Sequence, residues 1–96
     1  MIAKVHKAQN GELIIAVCDK ELLGQKFEED GKILDLSSDF YNGEEMTEEE
    51  VGDLLRNAYM INLVGKKAIK IGISEEIIDE ENVKKIAGVQ YACVTL

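Results

Sequence analysis

Apolar positions alternate or run together near both ends of the chain and recur at helical spacing in its middle. Ile2, Val5 and Ala8 mark residues 2–8 as a strand, and Asn10-Gly11 follows as the strongest short hairpin signal. Residues 12–18 form the return strand. Its centre, Leu13-Ile14-Ile15-Ala16-Val17, is apolar at every position, which predicts a central strand covered at least in part on both faces. With Asn10 and Gly11 as the two loop residues, Gln9 faces Glu12, His6 faces Ile15 and Cys18 faces Ala3.

Beyond that strand, Asp19 is expected to cap a short turn through Glu21-Leu22-Leu23, which Gly24 ends. Asp30-Gly31 signals a second turn. Residues 32–36 then give a third short strand, with Leu34 and Leu36 on one face and Ile33 on the other. Residues 37–45 read as loop, held by Phe40 and Tyr41 and turned by Asn42-Gly43.

Thr47-Glu48-Glu49-Glu50 is a capping box, with a hydroxyl at the helix start and a carboxylate three residues on. The spacing predicts a helix over residues 48–64, whose stripe is Val51, Leu54, Leu55, Ala58, Ile61 and Asn62. Gly65 ends it. A second helix over residues 66–75 puts Ala68, Ile69, Gly72 and Ile73 on one side and its lysines on the other. Asp79-Glu80-Glu81-Asn82 is a turn. Residues 83–86 and 89–96 are two strands joined at Gly88, with Tyr91, Cys93 and Thr95 on one face of the last. These elements predict one α+β domain over residues 1–96. Its sheet is mostly antiparallel, built from an N-terminal hairpin, a short third strand and a C-terminal hairpin, with two helices packed on one face.

Composition agrees with a folded domain: 96 residues, 46% hydrophobic and 31% charged. No apolar run is long enough to span a bilayer, and no secretory leader is visible, so the cytoplasm is the expected location and no membrane is involved. The net charge of -8 is uneven. Residues 19–50 hold 12 acidic residues against 3 lysines, net -9, and the remainder holds 7 acidic against 8 basic residues, net +1. Overall acidity opposes unaided binding to duplex nucleic acid. It leaves room for lysines gathered at Lys66, Lys67 and Lys70 to meet phosphates, or for the acidic segment to meet a basic protein.

Catalytic chemistry finds little support. No serine lies in a nucleophile elbow, and the hairpin register keeps the one histidine, His6, away from Cys18, leaving it an exposed strand residue. Two cysteines, Cys18 and Cys93, supply at most half of a tetrahedral zinc site. They are either reduced and buried or joined as a disulfide between neighbouring strands. No calcium loop or glycine-rich phosphate motif occurs, and no cofactor is expected. Asn62, an amide on an apolar helix stripe, is expected to bond a loop backbone, such as the one after Cys18, so that Asn62→Leu destabilises the fold. Lys26, between Gly24 and Phe27, is either a plain surface lysine or a cation held beside an aromatic to meet phosphate or carboxylate.

The run Ala16-Val17-Cys18-Asp19-Lys20-Glu21-Leu22-Leu23-Gly24-Gln25-Lys26-Phe27 resembles the signature of the small archaeal proteins grouped as domain of unknown function 424. Phe40-Tyr41-Asn42-Gly43, Asn62-Leu63-Val64-Gly65 and the ending from Asp79 through Ile86-Ala87-Gly88-Val89 continue the likeness in order along the chain. The resemblance implies a single-domain archaeal cytoplasmic protein with no established activity, loosely associated with translation. It marks Cys18, Asp19, Glu21, Leu22, Leu23, Gly24, Lys26, Phe27, Asn62 and Gly65 as family-like.

The expected function is therefore a non-enzymatic binding module for structured RNA, the ribosome or another ribonucleoprotein. Cys18, Asp19, Glu21, Gly24, Lys26, Phe27 and Asn62 are its candidate surface, with Lys66, Lys67 and Lys70 meeting phosphates. The alternatives are a protein–protein adaptor using the acidic segment 19–50 and an enzyme using Cys18 or the carboxylates.

Overall fold

Asn10-Gly11 does turn a hairpin, but one residue longer than the sequence suggests. In the computed structural model, which describes residues 1–96, Ala8 N donates to the Glu12 carbonyl at 2.9 Å and Gly11 N to the Ala8 carbonyl at 2.9 Å. Gly11 sits at φ +88. That is a three-residue loop closed by a glycine in the left-handed region. It joins β1 (Ile2–Lys7) to β2 (Leu13–Cys18) with His6 opposite Ile14 and Cys18 opposite Ile2. The expected pairing is thus corrected by one residue. His6 and Cys18 share a face yet stay about 13 Å apart along the strands. His6 is not free either: it is half-buried, with its ring stacked on Phe40 at 4.6 Å between centroids.

After β2 the chain forms a 3-10 turn (Lys20–Leu22) and a two-stranded ribbon, β3 (Lys26–Glu29) and β4 (Lys32–Asp35). Asp30 and Gly31 both take positive φ, the geometry of a tight two-residue hairpin turn. Leu34 and Leu36 are buried and Ile33 is 55% exposed, as the alternation requires. The loop beyond lies across the sheet: Lys4 Nζ donates to the Asp39 carbonyl at 2.5 Å, and His6 Nε2 lies 3.0 Å from the Phe40 carbonyl. A two-residue strand, β5 (Glu44–Glu45), then pairs with the start of β1.

The capping box forms as the sequence predicts. Thr47 Oγ1 accepts from Glu50 N at 3.2 Å and Glu50 Oε1 accepts from Thr47 N at 3.0 Å, opening α1 (Glu48–Arg56). This helix stops at Arg56, and the expected continuation to residue 64 is overturned: β6 (Met60–Val64) is a strand. Ala58 and Ile61 extend a helical stripe, but they also fit an apolar run of strand length, and such runs do not reveal their period. The sheet decides, because β6 finds partners on both sides. Gly65 therefore does not end a long helix. It links β6 directly to α2 (Lys66–Ser74), in which Ile71 is buried and the expected Ile73 is 36% exposed. A turn at Glu80–Asn82 leads to β7 (Lys84–Ile86) and β8 (Val89–Thr95), the expected hairpin.

The sheet order is β5-β1-β2-β6-β8-β7. Only β2 and β6 run parallel, so the fold is α+β with a mostly antiparallel sheet. Both helices cover one face, where Ile15, Val17, Ile61 and Leu63 meet Val51 and Leu55 of α1 and Ala68, Ile69 and Ile71 of α2. The opposite face holds a smaller core of Ile2, Cys18, Val64 and Ile86 under Leu34 and Leu36, with Leu22, Leu23, Phe27 and Tyr41 packed around it. No helix is long and apolar enough to cross a membrane.

Candidate binding cleft

The one parallel pair defines a place where the chain divides. Cys18 pairs with Val64 at the carboxyl ends of β2 and β6, and Asp19 N donates to the Val64 carbonyl at 3.0 Å. From there the chain leaves β2 toward the ribbon face and leaves β6 toward the helical face. Diverging connections at the carboxyl ends of adjacent parallel strands leave a crevice outside the sheet. Here it is a cavity of about 310 Å³ lined by Asp19, Glu21, Leu22, Gly65, Lys66 and Lys67, and closed on the third side by Gly88, Val89 and Gln90.

Asp19 anchors this cleft from below. It is 3% exposed. Its side chain does not cap the turn that follows it, as the sequence suggests. Instead Oδ2 accepts from Lys67 N at 3.1 Å and Oδ1 from Ala68 N at 2.9 Å, which caps α2 across the chain. The reason is electrostatic as well as geometric. A nine-residue helix exposes unpaired N–H groups and a partial positive charge at its start, and a buried carboxylate needs such donors. The close approach depends on Gly65, at φ +105, because a Cβ there would lie 2.3 Å from Asp19 Cγ.

Next to it, Cys18 is fully buried. Burial, and then the neighbouring Asp19 charge, push its thiol up to about 11. A thiol so raised is protonated at neutral pH and supplies no nucleophile. Burial likewise pushes the Tyr41 hydroxyl up to about 12. Both cysteines are free, and Cys93 is exposed on β8. The disulfide and the pair of buried thiols are both corrected: β6 stands between β2 and β8, so the two strands are not neighbours.

Of the residues singled out from the sequence, Asp19, Glu21, Lys66 and Lys67 come together in the cleft, and Lys70 is exposed one turn further along α2. Cys18 lies buried below them. Gly24, Lys26 and Phe27 do not join. Gly24 N donates to the Leu36 carbonyl at 2.8 Å, Lys26 pairs opposite Asp35 in the ribbon, and Phe27 packs into the smaller core. Lys20, beside Asp19, is engaged with Glu45 at 2.6 Å. The cleft residues that the sequence did not suggest are Gly88, Val89 and Gln90. Gly88 marks a turn, but only the sheet order brings that turn beside Gly65, whose N donates to the Gln90 carbonyl at 2.8 Å.

Asn62 is the clearest displacement. It stands half-buried in β6, between Ala16 and Cys93, and not on a helix. It is not among the buried polar atoms in need of a partner, so the expected loss of stability in Asn62→Leu is withdrawn. The variant should melt within about 3 °C of the parent in a thermal scan, as half-exposed substitutions without a special role do. A drop of about 10 °C or more would reveal a hydrogen bond that matters.

A protein-family model described as "Protein of unknown function (DUF424)" matches residues 6–96. Among solved structures, the chain is similar to a crystal structure of an uncharacterized conserved protein from Methanopyrus kandleri. The two are 22% identical with a TM-score of 0.83, over 97% of this chain and 88% of that one, a likeness that shows the fold. No curated protein matches the chain.

Proposed function

The chain belongs to the family described as Protein of unknown function (DUF424), and from that premise we propose that it is a non-enzymatic module that binds structured RNA, alone or in a ribonucleoprotein, along the phosphate backbone. One observation carries this reading. Lys66 and Lys67 stand exposed at the mouth of the cleft, on a helix start held rigid by the buried Asp19. Lys70 extends the same basic strip. Lysines act on phosphates as point charges, so they suit a backbone that runs past them better than a nucleotide that must be enclosed. The cysteine next to the cleft is protonated and inert, which fits a binding role.

Co-sedimentation with ribosomes and mobility shift with structured RNA test the proposal. The wild type is expected to bind at low salt, and binding should weaken about 10- to 40-fold between 50 and 200 mM salt if two or three phosphates are neutralised. Lys66→Glu with Lys67→Glu should abolish it. No association with RNA or any ribosomal fraction removes the reading. The same assay separates an adaptor role, in which exposed Glu44, Glu45, Glu48, Glu49 and Glu50 meet a basic protein. Glu44→Lys with Glu45→Lys should leave RNA binding intact; if capture of a basic partner is what disappears, the acidic edge is the docking surface.

A further inference from the structure

We propose that Asp19 decides which phosphates the cleft accepts: internal phosphodiesters of RNA are admitted and terminal phosphomonoesters are turned away. The proposal rests on the RNA reading above and names the ligand group within it. The start of a helix beside a cleft is where a phosphate usually settles. In this protein the chain's own carboxylate already fills that position, with one oxygen on Lys67 N and the other on Ala68 N. Gly65 packs so close to it that even a Cβ would meet Oδ2 at 2.4 Å, so no ligand oxygen fits between them.

The charges lining the cleft also cancel. Asp19 and Glu21 oppose Lys66 and Lys67, and the cavity as a whole has no surplus positive charge. A terminal phosphate carries about -1.5 to -2 at pH 7. Entering the cleft, it would meet a fixed carboxylate at its floor and a second at its rim, and like charges at close quarters are costly. An internal phosphodiester carries a single charge. Crossing the mouth, it meets the exposed ammonium groups of Lys66 and Lys67 and never approaches Asp19.

The test compares one RNA oligonucleotide bearing a 5′-hydroxyl with the same oligonucleotide bearing a 5′-phosphate, by fluorescence anisotropy at fixed ionic strength. The wild type is expected to bind both within about twofold, and AMP should not compete beyond its effect on ionic strength. Asp19→Asn keeps the side-chain shape and removes the charge, and should raise the preference for the 5′-phosphate about tenfold. Should circular dichroism show that this variant does not fold, Glu21→Gln on the exposed rim takes its place, with a shift of about threefold expected. A wild type that prefers the 5′-phosphate about tenfold overturns the proposal, and so does an unchanged ratio in the folded variants. If neither oligonucleotide binds, the RNA reading falls and inorganic phosphate decides the role of Asp19 alone. Phosphate should then stabilise Asp19→Asn, or Glu21→Gln in its place, but not the wild type in a thermal scan against matched chloride; equal stabilisation of both overturns it.

Discussion

Gly65→Ala is expected to remove about 4 kcal/mol of stability and to lower the melting temperature by about 20 °C. Two costs combine. The backbone at residue 65, φ +105 and ψ 159, lies in a region essentially confined to glycine. The new methyl would also stand 2.3 Å from Asp19 Cγ, far inside van der Waals contact. The carboxylate cannot swing aside cheaply, because two backbone N–H groups hold it. Gly11→Ala provides the control. Gly11 also has positive φ, at +88, but nothing lies within 4 Å of the added atom. That variant should lose only about 1 kcal/mol, the cost of the backbone conformation. Thermal unfolding followed by circular dichroism reads both, and a loss of only about 2 kcal/mol in Gly65→Ala, the backbone cost by itself, would mean that contact with Asp19 carries no energy.

Asp19→Ala is expected to cost about 3 kcal/mol, a drop of about 15 °C. It removes the acceptors for Lys67 N and Ala68 N and leaves Ala68 N without a partner inside the protein. Asp19→Asn should recover part of the loss, since an amide oxygen can serve one of the two N–H groups while its NH2 cannot serve the other. The two sites are in contact, so their costs should not add. In an Asp19→Ala background, Gly65→Ala no longer meets the carboxylate but still meets the Cβ of residue 19, 2.8 Å away, and should cost about 3 kcal/mol, backbone strain together with that contact. Additive losses in the double variant would show that the carboxylate group itself carries none of the cost of Gly65→Ala.

The parts of the fold that could be read from the sequence are those whose signals are local. Thr47 and Glu50 are three residues apart and form their box, Asp30-Gly31 turns its ribbon, and Gly88 turns the last hairpin. The register of the first hairpin slipped by one because Gly11 lengthened the loop, a choice that Asn10-Gly11 does not announce. β3 has no local signal, because Lys26-Phe27-Glu28-Glu29 carries one apolar residue among charges, and Phe27 needs the smaller core to hold it. The sequence of β6 suits both a helical and an extended stripe, and its pairing with β2 and β8 is information from distant parts of the chain. The candidate site behaves the same way. Asp19 stands out in the sequence, but local reasoning assigns it to the turn beside it, and its real partners are 48 and 49 residues away. The third wall of the cleft, from Gly88 to Gln90, depends wholly on the order of strands. The stretch 16–27 that resembles the family signature includes Asp19, the cap of α2, a role that periodicity does not contain.

Because one wall of the cleft comes from Asp19 and another from Gln90, a growing polypeptide has no cleft to offer while β8 is still inside the exit tunnel. Emergence of the N-terminal hairpin and of α2 builds the floor without its far side. The cavity is whole only when β8 has paired with β6 and brought Gly88, Val89 and Gln90 beside Gly65.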